Sequence, residues 1–479
     1  MDAYMLKANE SKLGNFYFKK LGNKYLITNQ AGDFSIVTPQ VFEKLVSGKI
    51  DRKDDEYIEL KEKGFIRDRA FRWNIAEKFK SKNLFLFQGP SLFIVVLSTR
   101  CNLRCTYCHA SAKDVSRTDL DMDMPTAKRV VDVIFSSPSV NIGIEFQGGE
   151  PLLNWDVLKF IVDYAIARNK LYERNLMLNL VTNMTLLNND KLKFLLDRKV
   201  GLCTSLDGPG ALHDKHRGKN SAAIKKRLKE TIRAYKSHFN KYAPAALTTV
   251  TRDSLAKYRE IIDEYIELGM MGIHLRQLNP IGFAGKHLDS MSYSPEEFIE
   301  FYEKALDYII EINKGGTYFV ERTAWVFLMK IFSDYDPNFL DLRCPCGAGT
   351  GQIAFNYDGN VYTCDEGRML AMMGDDLFKM GNVMDMDYDE LIQSDAVKTL
   401  CLASLLEGIP KCESCAYKPY CGVCPLLNYV EEGNIFSMMP ANRRHKINEA
   451  VLDMLFMRIQ DESIKDIFFN WLEQGMNVS

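Results

Sequence analysis

The sequence predicts an α/β fold: a partial (β/α)6 TIM-like barrel, preceded by a small α+β domain and followed by a cysteine-rich domain. Three observations carry this. Between about residues 90 and 320, six apolar runs of strand length alternate with amphipathic helical stretches. Polar or cysteine-bearing loops follow four of those runs directly, as on the functional rim of a barrel. Beyond residue 340 helices shorten, and eight of the chain's 12 cysteines gather there.

The N-terminal unit, residues 1–75, contains short strand candidates at Phe16–Leu21, Lys24–Thr28 and Asp33–Val37. Thr38-Pro39 then opens a helix, with Thr at the cap and Pro at the first helical position. The charged segment Asp51–Lys63 leads into Phe65-Ile66. In the barrel unit, residues 90–320, the strands are Leu92–Ser98, Ile142–Phe146, Leu176–Val181, Gly201–Ser205, Ala245–Val250 and Gly272–Gln277. Helices are expected near 126–136, 154–170, 186–198, 221–237, 254–268 and 295–313. Continuous apolar strands separated by helices indicate a parallel sheet covered by those helices. The rim then carries the cysteine loop after the first strand, Gln147-Gly148-Gly149-Glu150, Thr182-Asn183 and Ser205-Leu206-Asp207-Gly208. In the third unit, residues 340–435, Asp358-Gly359 sits between Ile353–Tyr357 and Asn360–Thr363, a hairpin signal. Residues 436–479 are helical in pattern.

At 479 residues more than one core is expected. With 61 Lys and Arg against 63 Asp and Glu the net charge is −2, unlike a chain built to coat nucleic acid or an anionic membrane. The start, Met-Asp-Ala-Tyr-Met, lacks a basic-then-apolar signal pattern, and no apolar run reaches the length of a membrane span. The cysteines stand at metal-ligand spacings, so a cytoplasmic, reducing location with iron–sulfur clusters is expected rather than disulfides.

Cys101, Cys105 and Cys108 fall in the run Cys-Asn-Leu-Arg-Cys-Thr-Tyr-Cys, immediately after the first barrel strand. Three thiolates on one loop hold three irons of a 4Fe-4S cluster and leave the fourth open to a ligand. A zinc knuckle would need a fourth ligand, and His109 alone stands nearby. This cysteine run, with Gly-Gly-Glu-Pro after the second strand, resembles the radical S-adenosylmethionine (SAM) enzymes. The resemblance implies that SAM chelates the open iron and is cleaved to a 5′-deoxyadenosyl radical that abstracts hydrogen from a substrate. It further implies that Tyr107 packs beside the adenine, that Gly148 and Gly149 allow close backbone approach, and that Glu150 accepts from the SAM amino group. Asn183 and Ser205 would bond ribose or carboxylate, and Arg217 would pair with the carboxylate. Ser205 and Arg217 suit capping or solvent-facing roles equally well.

Nine cysteines remain. Cys203 lies inside a strand, where a buried thiol is ordinary. The other eight are Cys344, Cys346, Cys364, Cys401, Cys412, Cys415, Cys421 and Cys424, the number that closes two further 4Fe-4S clusters. The run Cys412-x2-Cys415-x5-Cys421-x2-Cys424 resembles the SPASM extension of radical SAM enzymes, which modify peptides or proteins. That pattern implies one cluster on Cys346, Cys364 and Cys424 with Cys344, and another on Cys412, Cys415 and Cys421. The pattern's last downstream cysteine is missing here, and Cys401 is the natural substitute. Zinc on the four downstream cysteines is the alternative, and it leaves Cys344, Cys346 and Cys364 without a purpose.

The N-terminal unit resembles the precursor-recognition modules of enzymes that modify ribosomally made peptides, which bind a leader as an added strand. The alternative is a domain that only covers the barrel. Gly14-Asn15-Phe16-Tyr17-Phe18 and Tyr25-Leu26-Ile27-Thr28-Asn29, with Pro419-Tyr420-Cys421-Gly422-Val423-Cys424-Pro425, resemble the His-Xaa-Ser system maturases. The expected function is oxidative radical modification of a small precursor peptide, such as a cross-link. An external one-electron donor would serve it, and the narrower resemblance implies a second radical enzyme. Formylglycine formation in a sulfatase, small-molecule modification, or a non-enzymatic electron-transfer scaffold are the alternatives. Asp207, Arg276 and Asp365 are the candidate catalytic groups, each equally suited to orienting a loop.

Overall fold

The computed structural model describes residues 13–67, 71–239 and 244–475. Residues 1–12 and 68–70 of the expected N-terminal unit lie outside the described residues. The chain forms a small sheet and a large one. In the small sheet β1 (Tyr17–Leu21), β2 (Lys24–Thr28) and β3 (Phe34–Val37) run antiparallel in the order β1-β2-β3. The helix Pro39–Val46 follows, its first turn capped by Thr38, whose side chain accepts from the Val41 amide. Side chains alternate across these strands, so the sheet serves two partners. Ile27 and Val37 pack with Val41, Leu45 and Leu60 into a local core. Leu21 and Leu26, with Phe34 and Ile36, join the main core instead.

The large sheet has ten strands, where six were expected. The six are β4 (Leu92–Ser98), β5 (Asn141–Gly148), β6 (Asn175–Val181), β7 (Val200–Ser205), β8 (Ala245–Thr249) and β9 (Gly272–Arg276), all parallel and adjacent in sequence order. Helices Met124–Ile134, Trp155–Tyr172, Asn189–Asp197, Ser221–Phe239, Tyr258–Glu267 and Pro295–Lys314 lie between or after them. The added strands extend both ends. β10 (Val320–Glu321) pairs parallel with β9, and β11 (Gln352–Phe355) pairs parallel with β4. β12 (Asn360–Tyr362) and β13 (Lys379–Asn382) continue antiparallel from β11.

The hairpin around Asp358-Gly359 is thus a continuation of the barrel sheet past its first strand. The reason is visible in β4: Phe93, Val95 and Leu97 face the helix-covered core, while Ile94 and Val96 pack with Ala354 and Tyr362. A strand apolar on both faces has an edge that another strand must cover. The chain ends in helices Arg443–Arg458 and Glu462–Gln474, and Trp471 of the second is fully buried. Among the described residues no helix is long and apolar enough to cross a membrane.

Candidate active site

The cysteine loop leaves the C-terminal end of β4 and is held from three sides. From β5, the Gly149 amide donates to Ser98 O at 2.9 Å and the Glu150 amide to Arg100 O at 3.0 Å. A Cβ at Gly148 would lie 2.1 Å from Ser98 O, and one at Gly149 would lie 2.2 Å from Arg100 O. The two glycines therefore let the end of β5 press against the root of the cysteine loop. From the helix Gly210–Arg217, His216 Nδ1 sits 3.0 Å from Thr106 Oγ1, and His216 O accepts from the Thr106 amide at 2.9 Å. The third hold is a buried knot: Tyr107 donates its hydroxyl to Asp207, and Arg217 Nε donates to the same carboxylate at 3.0 Å. The Arg217 guanidinium lies 5.0 Å over the Tyr107 ring, and its charge opposes the rise that burial imposes on Cys105.

Above this loop opens a cavity of about 490 Å³, lined by Cys101, Cys105 and Cys108 and also by Cys346, Cys364 and Cys424. Tyr107, Gly148, Gly149, Asn183, Ser205, Arg217, Arg276 and Asp365 line it as well. Glu150 and Asp207 do not; both stand behind its wall. Glu150 is fully buried and accepts from the Leu152 amide at 3.0 Å, Thr182 Oγ1 at 2.8 Å and the Asn183 amide at 2.8 Å. Burial raises its carboxyl above the usual range. Asn183 reaches back to the loop, donating to Asn102 Oδ1 at 2.9 Å. Of the candidate catalytic groups, Asp365 is neutralised by Arg368, whose nitrogens donate to it at 2.6 and 3.0 Å. Arg276 pairs with Glu366 at 3.4 Å across the cavity wall, tying β9 to the helix Asp365–Ala371.

The wall also holds Glu145 and Arg444, which no sequence motif marked, Gln147, named above only as part of its rim loop, and His109, considered above only as a fourth zinc ligand. Glu145 and Gln147 hydrogen-bond to each other on the inward face of β5, and their alternation with Ile144 and Phe146 was the available signal. His109 is buried and its Nε2 has no hydrogen-bond partner. Burial, with the Arg276 and Arg217 cations, pulls it down to about 3, so the ring is neutral. Arg444, from the helix Arg443–Arg458, pairs with Asp341 at 2.9 Å and lines the same cavity. Only its three-dimensional placement reveals it.

The remaining thiols fall into two packing neighbourhoods. Cys344 packs with Cys412, Leu406, Ile409, Val423 and Met439. Burial pushes Cys412 up to about 12, with Cys415 and Cys344 among the charges adding to it, and Cys421 up to about 12, with Cys415 and Cys412 adding. Cys344 thus packs beside Cys412, which in turn neighbours Cys415. Cys346 and Cys364 pack with Cys424 in a separate apolar cluster, and each of the two is raised by burial and by Cys424. Cys401 lies on the helix Asp395–Ala403 against the main core, and burial alone raises it. One residue separates Cys344 from Cys346, yet they pack in different apolar clusters.

This donor set fits iron–sulfur cofactors. Three thiols on one loop line a cavity large enough for a ligand, an unpartnered imidazole nitrogen lies beside them, and the raised thiols would lose their protons to bound metal. Among the described residues no three His, Cys, Asp or Glu side chains converge as the ligands of one ion do. A cubane spreads its thiolates around four irons instead.

Comparison with known proteins agrees with these features. Residues 95–258 match the Radical SAM superfamily, and residues 344–425 match the SPASM iron–sulfur cluster-binding domain. The chain is 25% identical over 341 residues to a cysteine-type anaerobic sulfatase-maturating enzyme of Clostridium novyi, covering 69% of this chain and 86% of that protein. Its fold is similar to native anSMEcpe with bound AdoMet and Kp18Cys peptide, with a TM-score of 0.64, 20% identity, and coverage of 78% of this chain and 100% of that one. It is also similar to Streptococcus suis SuiB bound to precursor peptide SuiA, with a TM-score of 0.55, 16% identity, and coverage of 88% and 96%. The two matched segments, with one cavity reached by a loop trio and a distant trio of thiols, place the chain in the radical SAM superfamily as a SAM-dependent enzyme carrying a SPASM iron–sulfur domain.

Proposed function

We propose that the enzyme oxidatively modifies a small, ribosomally made precursor peptide, forming a cross-link or another oxidised bond at an unactivated carbon. The observation that carries this is the shared cavity, with Cys101, Cys105 and Cys108 and also Cys346, Cys364 and Cys424 among its lining residues. Bound there, the first cluster and SAM supply a 5′-deoxyadenosyl radical; the chain's residues do the rest. Ser205 and Asn183 offer hydrogen bonds to the cofactor, and Arg217 offers a cation to its carboxylate while also bracing Cys105. Glu150 acts at one remove, by fixing the amides of Leu152 and Asn183.

Cys344, Cys412, Cys415 and Cys421 would close one auxiliary 4Fe-4S cluster. Cys346, Cys364 and Cys424 would hold a second and leave it an exchangeable corner. Bound there, such clusters would supply an acceptor for the electron that a net oxidation of the substrate must release. The N-terminal unit, residues 1–75, would capture the peptide by strand addition at the small sheet. The fold likeness to a peptide-bound SuiB supports this reading and reaches over 88% of the chain. The resemblance to His-Xaa-Ser system maturases is the narrower form of the same proposal.

Co-expression with small reading frames adjacent to the gene, followed by peptide mass spectrometry, tests it. A peptide that loses hydrogen mass only when Cys105 is intact is expected; peptides unchanged in every pairing would overturn the reading. A second reading, formylglycine formation on a sulfatase, is favoured by the Clostridium novyi relative. It predicts modification of a sulfatase cysteine or serine in the same assay.

A further inference from the structure

No described residue of the small N-terminal sheet lines the cavity. The sheet docks on the loop Ala416–Tyr420, the five residues between Cys415 and Cys421. Thr28, the last residue of β2 and fully buried, donates its hydroxyl to Ala416 O at 2.7 Å. Tyr420, also fully buried, donates its hydroxyl to Gly32 O in the β2–β3 turn at 2.9 Å. Beside these, the Lys19 ammonium of β1 lies 4.8 Å over the Tyr417 ring and pairs with Asp453 at 2.8 Å, the carboxylate that also accepts from Tyr417. From the loop side, Lys418 lies 4.6 Å over the Tyr17 ring. Phe456 of the C-terminal helix closes the joint, packed against Tyr417, Tyr420 and Phe34.

The loop's own hydrogen bonds are short-range turns: Lys418 N to Cys415 O at 3.1 Å, and the Tyr420 and Cys421 amides to Tyr417 O at 3.0 and 3.1 Å. Such turns set local curvature but do not anchor a loop against the rest of a molecule. Lys418 also pairs with Glu407 at 3.5 Å, and the remaining anchoring comes from the sheet, Phe456 and Asp453. Groups that orient ligand-bearing segments, and that keep water from them, tune a metal site nearly as strongly as the ligands themselves.

We propose that the N-terminal sheet is a working part of the auxiliary iron–sulfur site, with Thr28 and Tyr420 as positioning residues that fix the Cys415–Cys421 loop. This rests on the reading of Cys344, Cys412, Cys415 and Cys421 as cluster ligands, and it is independent of whether the sheet also binds peptide. The test uses reconstituted full-length enzyme and its Thr28→Val and Tyr420→Phe variants, which keep volume and remove one hydroxyl each. EPR-monitored redox titration and the rate of iron removal by a chelator are the readouts.

The expected result is a shifted midpoint potential for one auxiliary signal and about tenfold faster iron loss from it, with the SAM-binding cluster and the other auxiliary signal unchanged. Variants that match wild type in both readouts would overturn the proposal. So would equal weakening of all cluster signals, which marks general destabilisation. Wild-type enzyme with no auxiliary signal would instead defeat the cluster reading itself. Should one variant fail to fold, the other carries the test alone.

Discussion

Cys101, Cys105 and Cys108 lie within eight residues of one loop, whereas the thiols that face them come from three distant stretches of chain, at Cys346, Cys364 and Cys424. The first group is braced by its own neighbourhood: the glycines of β5, and the Tyr107–Asp207–Arg217 knot. The second has no local frame. Cys364 caps the helix Asp365–Ala371 after β12, its sulfur accepting from the Gly367 amide at 3.4 Å, while Cys424 opens the helix Pro425–Glu432. A loop site depends on a few side chains close in sequence. An assembled site depends on the docking of whole elements, so distant substitutions should reach it.

The largest effect that sharpens this contrast is at the loop. Cys105→Ala should abolish 5′-deoxyadenosine formation and remove about four irons per chain, while both auxiliary signals persist. Next is Asp207→Asn, which leaves the buried Arg217 cation without its partner. It should cost about 3–5 kcal/mol in thermal unfolding and lower occupancy of the SAM-binding cluster. Full stability with lost activity would instead make Asp207 a proton-transfer group and break the picture of a braced loop.

In the assembled region, EPR of single variants reads the grouping directly. Cys344→Ala should remove the same signal as Cys412→Ala, Cys346→Ala should remove the other, and Cys401→Ala should remove neither. Glu366→Gln frees Arg276 from a part-exposed pair and should change KM by about fivefold or less, since such pairs contribute up to about 1 kcal/mol. The smallest effect is expected at Cys203→Ala, within about 1 kcal/mol in stability and with iron content unchanged.

How much of this was legible in the chain follows the same division. The six parallel strands were readable because β-branched and apolar runs such as Leu92–Ser98 announce themselves, and the rim loops follow from the strand ends. The Asp358-Gly359 hairpin was readable too, but its pairing beside β4 was not, since a parallel partner is chosen by tertiary packing. That Cys344 and Cys346 pack in different apolar clusters was not readable, because adjacency along the chain does not decide on which side of an apolar layer a thiol falls. Asp207 looked like a rim residue; its burial under Arg217 and Tyr107 depends on the helix Gly210–Arg217 folding back over it. Arg444 carried no motif at all.

The bonds from Thr28 to Ala416 and from Tyr420 to Gly32 each join residues 388 apart in the chain. The small sheet is built from contiguous strands and a helix, but its docking site lies 388 residues further along the chain, so the joint closes a very long loop. Until it closes, Leu21, Leu26, Phe34 and Ile36 are without their final cover. Folding of the two regions is therefore coupled: the small sheet gains its cover only when the Ala416–Tyr420 loop is in place, and that loop its anchor only when the sheet has formed.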